Sequence, residues 1–311
     1  MRPELDFVKI TTSRGLTFLI GPNKEPHMLH SGLLAQLCPS LRALVESPNK
    51  FLAVVEWPDV DQETFRKFCE WAYEGKYEPP AAGKPGDDPK PLKYAAGAFS
   101  LSLFSRNHDL NLPNPTCRVC MAQIGWDDSI NECANCRKGI VCVSVCHLCG
   151  QRDLTYCSAC VEGPILPRRL RLTRDFLENR DVVGGVSKVK GLGKQNYGAD
   201  YTQVLLCHAK VYVLGMNKEI EDLEDLAFRK LHRALGEYIL YPTLPESRKP
   251  VLDLIRYVFE NTGAGDSLRQ LLARYSAIVW EELDGCEDWE ILSNDVPQFS
   301  IALLQELRRR A

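Results

Sequence analysis

Apolar residues recur along the chain at two different periods, which mark out two structured blocks with a long aperiodic stretch between them. In the first block, residues 16–20 (LTFLI) form a short β-type run, and Gly21-Pro22-Asn23-Lys24 follows as a turn. This predicts a hairpin into residues 26–29. Residues 31–45 then place Leu33, Leu34, Leu37, Leu41, Leu44 and Val45 at helix-type spacing, and Pro39 breaks that pattern into two short helices. Residues 51–57 (FLAVVEW) predict a strand centred on Val54 and Val55. A helix should open at Asp59 or Asp61, either an acceptable N-cap, and run to about Tyr73 with Phe65, Phe68, Ala72 and Tyr73 as its apolar face.

The second block begins near residue 205 and is helical throughout. Residues 208–214 lead into 220–235, where Ile220, Leu223, Leu226, Ala227, Leu231, Ala234 and Leu235 repeat every three or four positions. Further helices are predicted over 251–259, 268–280 and 299–307. Between the blocks, residues 79–91 hold five prolines, two glycines and no apolar period, which is linker composition.

Composition changes this picture at one place only. A hydrophobic fraction of 45%, a charged fraction of 25% and a net charge of −3 are those of an ordinary globular chain, and the charge is too small to imply a nucleic-acid or membrane partner for the whole molecule. Residues 1–10 (MRPELDFVKI) lack the apolar core of a secretory signal, and no run of about 18 apolar residues is present to span a bilayer. The expectation is an intracellular protein, nuclear or cytoplasmic, with its thiols reduced.

Those thiols are unevenly spread. Nine of thirteen cysteines lie in residues 117–160, and eight of the nine form four Cys-x-x-Cys pairs: Cys117/Cys120, Cys133/Cys136, Cys146/Cys149 and Cys157/Cys160. Two thiolates three residues apart reach one tetrahedral ion from a tight turn, so four pairs supply the ligands of two closed, structural zinc sites. A segment this short buries little apolar surface. Structural zinc contributes about 10–16 kcal/mol of apparent folding free energy in small peptides, as much as the whole stability of an ordinary domain.

Pairing is open between a sequential arrangement, which the gaps between pairs favour, and a cross-braced one; Cys142 and His147 are alternative ligands. A ubiquitin-ligase RING would need its fifth ligand two or three residues after the fourth, whereas the next thiol after Cys136 is Cys142. Redox chemistry would need one exposed pair of low pKa, not four clustered pairs. Arg168, Arg169, Arg171, Arg174, Lys188, Lys190 and Lys194 follow the cysteines. Without interleaved exposed aromatics they read better as a solvated linker, or a surface docking on the acidic helix near residues 219–225, than as a phosphate-binding patch. Cys38, Cys69, Cys207 and Cys286 read as small buried apolar residues, and His27, His30, His208 and His232 as structural.

The two blocks together resemble a BTB/POZ domain of the kind abundant in filamentous fungi. The resemblance is carried by LTFLIGP (16–22), PHMLHSGLL (26–34), CPSLRALVE (38–46) and FCEWAYEGKY (68–77), and beyond the insertion by residues 208–231. Residues 251–262 and 267–277 look like the helical extension common in that group. About 180 residues are covered, through the order of elements more than through any single motif. The resemblance implies an α+β fold, a small sheet capped by helices, used for protein–protein contact without catalytic residues. Self-association to a homodimer is also implied, and in some relatives recruitment of cullin-type ubiquitin ligases.

This chain departs from the family pattern in carrying His30-Ser31 where His-Lys is common. It also has only Ser47-Pro48-Asn49-Lys50 where cullin-binding members present an apolar-x-Glu element. The resulting organisation is a first host part (1–78), a linker (79–116), a zinc module (117–163), a basic linker (164–204), closing helices (205–240) and a helical extension (241–311). The leading functional expectation is a non-catalytic scaffold containing two zinc ions. A nucleic-acid-binding or transcription-associated zinc protein and a cullin-ligase adaptor are the alternatives.

Overall fold

The structure, a computed structural model, describes residues 4–46, 54–83, 100–101, 172–173, 175–177, 192, 195, 199–241 and 244–310. Its architecture is α+β, and the chain divides into two compact units. The first comprises residues 1–83, 201–231 and 260–262; the second comprises 84–200, 232–259 and 263–311.

Unit 1 is built on a three-stranded sheet in the order β2-β1-β3, with β1 Gly15–Ile20, β2 Glu25–His30 and β3 Val54–Trp57. The predicted hairpin is present: β1 and β2 pair antiparallel, with Leu16 opposite Leu29 and Ile20 opposite Glu25. Gly21 and Lys24 both adopt positive φ in the connecting turn, where Lys24 donates to the Gly21 carbonyl at 3.1 Å. β3 joins the other side of β1 in parallel, Phe18 opposite Val55. Alternate side chains of β1 point to one face, and that face is buried at Leu16, Phe18 and Ile20.

The short helix α1, Phe7–Thr11, precedes the sheet. Asp6 caps it by accepting from Val8 and Lys9. Five residues are too few to show a period, so the sequence pattern does not announce this element. α2 Ser31–Leu37 and α3 Pro39–Glu46 are the two short helices expected on either side of the Pro39 break. Proline opens α3, the position where its missing N–H is harmless.

α4, Gln62–Glu74, starts at Asp61, whose carboxylate accepts from the Thr64 N–H at 2.9 Å. Its last turn is closed by Gly75 in the left-handed conformation (φ 74°), donating to the Trp71 carbonyl at 2.8 Å. The helix lays Phe65 and Phe68 against the sheet, where they join Phe18 and Trp57 in an aromatic cluster. Ring centroids are 5.0 Å apart for Phe18–Trp57, 5.3 Å for Phe18–Phe65 and 5.4 Å for Trp57–Phe68. One expected face residue is corrected: Tyr73 is exposed at 37%, and Trp71 is buried in its place. Residue 73 lies about 100° further round the helix than residue 72, outside the stripe through 65, 68 and 72.

α5, Thr202–Asn217, and α6, Glu221–Glu237, form the closing pair, and α5 begins three residues before the position expected from periodicity. α5 is apolar on most sides and correspondingly buried from Val204 to Gly215. At Gly215 a Cβ would lie 2.7 Å from the Glu224 backbone nitrogen, so the close approach of α5 and α6 requires glycine there.

Unit 2 is helical in the residues described. α7 Lys249–Asn261, α8 Ser267–Ile278 and α11 Pro297–Arg310 correspond to the three predicted helices, with ends shifted by a few residues. The short α9 Trp280–Leu283 and the acidic α10 Glu287–Asp295 fall inside the block expected to be helical, although the apolar pattern delimits neither. Only Trp289 and Leu292 of α10 are buried, too few to set a period. α8 packs on α11, and α10 joins them through Trp289, whose ring is 5.6 Å from Phe299 and 5.3 Å from Trp280. Among the described residues no helix is long and apolar enough to cross a membrane.

Asp61 also pairs with Lys210 of α5 at 3.1 Å. Burial alone would raise its carboxyl pKa, but the Thr64 N–H and the Lys210 ammonium outweigh it and hold it below the ordinary value. That stability is present above the unfolded pKa, about 3.9, and is lost as pH falls through the folded one. Asp61→Ala is expected to cost about 1 kcal/mol at pH 7, read as a lower urea midpoint. The difference from wild type should shrink below about pH 4.

Candidate functional site

The eight paired cysteines, Cys117, Cys120, Cys133, Cys136, Cys146, Cys149, Cys157 and Cys160, lie outside the described residues, as do Cys142, His147 and the basic run from Arg168 to Lys194. Among the described residues no group of three or more His, Cys, Asp or Glu side chains is placed to hold a metal ion. The described polar chemistry gathers instead at the point where the first sequence block ends.

There Tyr77, the last residue of the block with its side chain fully enclosed, meets α5 and α6. Its hydroxyl lies 2.9 Å from His208 Nδ1, and its ring centroid is 5.6 Å from the imidazole. Lys230 of α6 donates to the Tyr77 backbone carbonyl and sits 4.5 Å over the same ring. Tyr77, His208 and Lys230 are each at most 5% exposed. A buried ammonium is tolerable only when its protons are matched to acceptors, and here a carbonyl and an aromatic face serve.

Protonation states follow from the surroundings. Burial and the Lys230 charge push the His208 imidazole down to about 3, so it is neutral at ordinary pH and presents one acceptor nitrogen. Burial holds the Tyr77 phenol protonated, its pKa raised well above 10. The matching arrangement is Tyr77 O–H donating to His208 Nδ1. Cys207, adjacent to His208 in sequence, is pushed up to about 12 by burial together with the Glu63 and Glu70 carboxylates. It is a thiol, not a nucleophilic thiolate.

A second set of charges borders the first. Lys67, buried on α4, binds Glu70 at 2.9 Å and Glu63 at 3.4 Å. Burial would lower its pKa, but the two carboxylates outweigh that and raise it. Glu70 in turn accepts from the Glu78 N–H at 3.2 Å. The chain leaving α4 is therefore held at successive residues, at 77 by Lys230 and His208 and at 78 by Glu70. Every group keeps its proton or its counter-charge, so the arrangement holds a backbone in place.

The other singled-out residues separate. His30 Nδ1 is 2.8 Å from the Tyr73 hydroxyl near the surface, and His27 packs beside Phe65 at 5.1 Å. In unit 2, His232 is buried, lies 2.5 Å from the Phe176 carbonyl and packs on its ring at 4.6 Å. All four described histidines thus contact neighbouring side chains or backbone within their own unit. Of the four remaining cysteines, only Cys207 is buried. Cys38, Cys69 and Cys286 are half-buried, a correction to the expected burial; Cys38 lies 3.0 Å from the Ser40 hydroxyl and Cys286 donates to the Leu283 carbonyl.

The sequence pattern singles out His208 but neither its hydrogen-bond partner Tyr77 nor Lys230, which binds Tyr77. The usable signal was a histidine and a lysine each embedded in an otherwise apolar helical stripe, HAKVYVLG and LAFRKLHRAL. No family model, no curated protein and no solved structure matches the chain.

Tyr77→Phe removes the donor and leaves a buried imidazole nitrogen unsatisfied, so it should cost about 1–3 kcal/mol in a denaturant titration. The His208 depression gives a pH signature. Its stabilisation is complete above the unfolded pKa of about 6.5 and declines as pH falls towards the folded value, by at most about 1.4 kcal/mol per pH unit. His208→Gln keeps a hydrogen-bonding group without the titration. Its stability should be flatter than wild type between pH 4 and 6.5, and equal slopes would contradict the assignment.

Proposed function

We propose that this protein is a non-catalytic protein-interaction scaffold: a BTB/POZ-like host fold with a helical extension, interrupted by a module that binds two structural zinc ions. One observation carries the reading. Residues 1–83 and 201–231 form one compact unit although more than a hundred residues lie between them. An insertion of that length is tolerable because loop-closure entropy rises by only about 0.6 kcal/mol per doubling, and less when the inserted chain closes on itself. The small sheet capped by helices, followed after the interruption by a closing helix pair, is the order of elements that the resemblance implies.

The zinc reading rests on ligand spacing. Cys117, Cys120, Cys133, Cys136, Cys146, Cys149, Cys157 and Cys160 would close two four-sulfur shells and leave no coordination position open for a substrate. The same reading assigns no catalytic residue in the host. Its buried histidine, tyrosine and thiol all stay protonated or neutral, and the tyrosine–histidine pair holds the chain where the insertion departs.

Elemental analysis of full-length protein purified without chelator should find about two zinc ions per chain, and Cys133→Ser should reduce the count. A chain lacking residues 117–163 should retain no zinc yet keep the helical circular dichroism and cooperative melting of the host. Metal-free full-length protein would sink the zinc module, whereas an unfolded deletion chain would sink the idea of an independent insertion.

A further inference from the structure

The end of α6 grips the chain that follows the cysteine pairs at two places. At the first, Phe176 is 5% exposed and Thr173 is fully buried. The Phe176 carbonyl meets His232 Nε2, and the Phe176 ring lies 4.6 Å from the imidazole and 5.9 Å from Tyr275 of α8. Leu177 covers Gly236, where a Cβ would come within 2.9 Å of Leu177 Cδ2. Glycine at 236 lets the two chains lie this close.

At the second place, Leu192 donates its N–H to one oxygen of the Glu237 carboxylate at 2.7 Å, and Arg233 binds the other at 2.9 Å. The Gln195 side-chain amide donates to the Glu237 carbonyl at 2.6 Å and accepts from the Ile239 N–H at 3.0 Å. Glu237 closes α6, so its carbonyl is one of those a helix leaves without an intrahelical partner. A side-chain amide that meets a backbone acceptor and a backbone donor together fixes both position and direction. Both grips fall on residues 232–239, although composition alone reads this Arg-, Lys- and Gly-rich chain as a linker.

We infer that the chain at Phe176 and Leu177, and again at Leu192 and Gln195, is an anchoring arm that roots the cysteine-bearing stretch on the last turn of α6 and on α8. Eleven residues separate Cys160 from Leu172, so an arm fixed there keeps Cys160 within about 40 Å of it. A linker free as far as Tyr201 would allow about 150 Å. A partner that touches both the cysteine-bearing stretch and these helices then meets its second site at a raised effective concentration. The inference does not require the metal. Zinc content and anchoring are separate measurements, and either can fail alone.

Amide hydrogen exchange and limited trypsin digestion of the full-length protein test this. In wild type the Leu192 and Ile239 amides should exchange at least about 10-fold more slowly than in an unstructured peptide, and the Lys194–Gln195 bond should resist cleavage. Glu237→Ala removes the acceptor of the Leu192 N–H and should speed exchange there about 10-fold with the melting transition kept. Gln195→Glu keeps the side-chain shape but turns an acceptor towards the Glu237 carbonyl. It should speed exchange at Ile239 and open the Lys194–Gln195 bond, and it decides the matter if Glu237→Ala misfolds. Wild type cut at Lys194 as fast as a free peptide of the same sequence overturns the arm. So does protection that neither variant changes.

Discussion

The interaction on which unit 1 depends is the capture of the Tyr77 backbone by Lys230. That carbonyl lies near the end of the first sequence block, and the lysine that binds it comes from α6, more than 150 residues later. The contact places a charged group in a low-dielectric interior, a costly arrangement unless geometry is good and every proton finds an acceptor. It is supported from both sides. His208 Nδ1 accepts a hydrogen bond from the Tyr77 hydroxyl, and Glu70 accepts one from the next backbone N–H. Removing any one of these groups would strand another, so the set behaves as a unit rather than as separable bonds.

This cluster complements the aromatic core in a specific way. Phe18, Trp57, Phe65 and Phe68 join sheet to α4 entirely within the first block, and such burial is favourable but non-directional. Polar contacts add register. Lys210 to Asp61, Lys218 to Asp59 and Ser40 to the Glu219 carbonyl each tie a residue after the interruption to one before it. The exposed ion pairs among them contribute little energy individually. Their value lies in direction, because α5 and α6 could slide on an apolar surface but not on a set of fixed partners. One compact unit is thus held together across a long break in the sequence.

Much of this architecture was legible beforehand. The hairpin followed from LTFLI and the Gly-Pro-Asn-Lys turn, α2 and α3 from the Pro39 interruption, and α4 from an aspartate cap ahead of a strong apolar period. Those signals are local, involving a turn residue or a cap a few positions from its consequence. Failures were local too. α1 and α10 are too short and too sparsely apolar to show a period, and Tyr73 lies one residue beyond the buried stripe of α4. Half-buried Cys38, Cys69 and Cys286 were expected to be buried because composition reports a preference, not a position.

By itself, then, the sequence determined the element types, the break between the two blocks and the clustering of cysteines into pairs with metal-ligand spacing, because each of these is written in residues a few positions apart. Only the tertiary structure decided that Tyr77, His208 and Lys230 meet, that the pKa of His208 is driven down, and that Tyr73 is exposed while Trp71 is buried. These are properties of distance and dielectric between residues remote in sequence. No local period encodes them, and they exist only once the chain has closed.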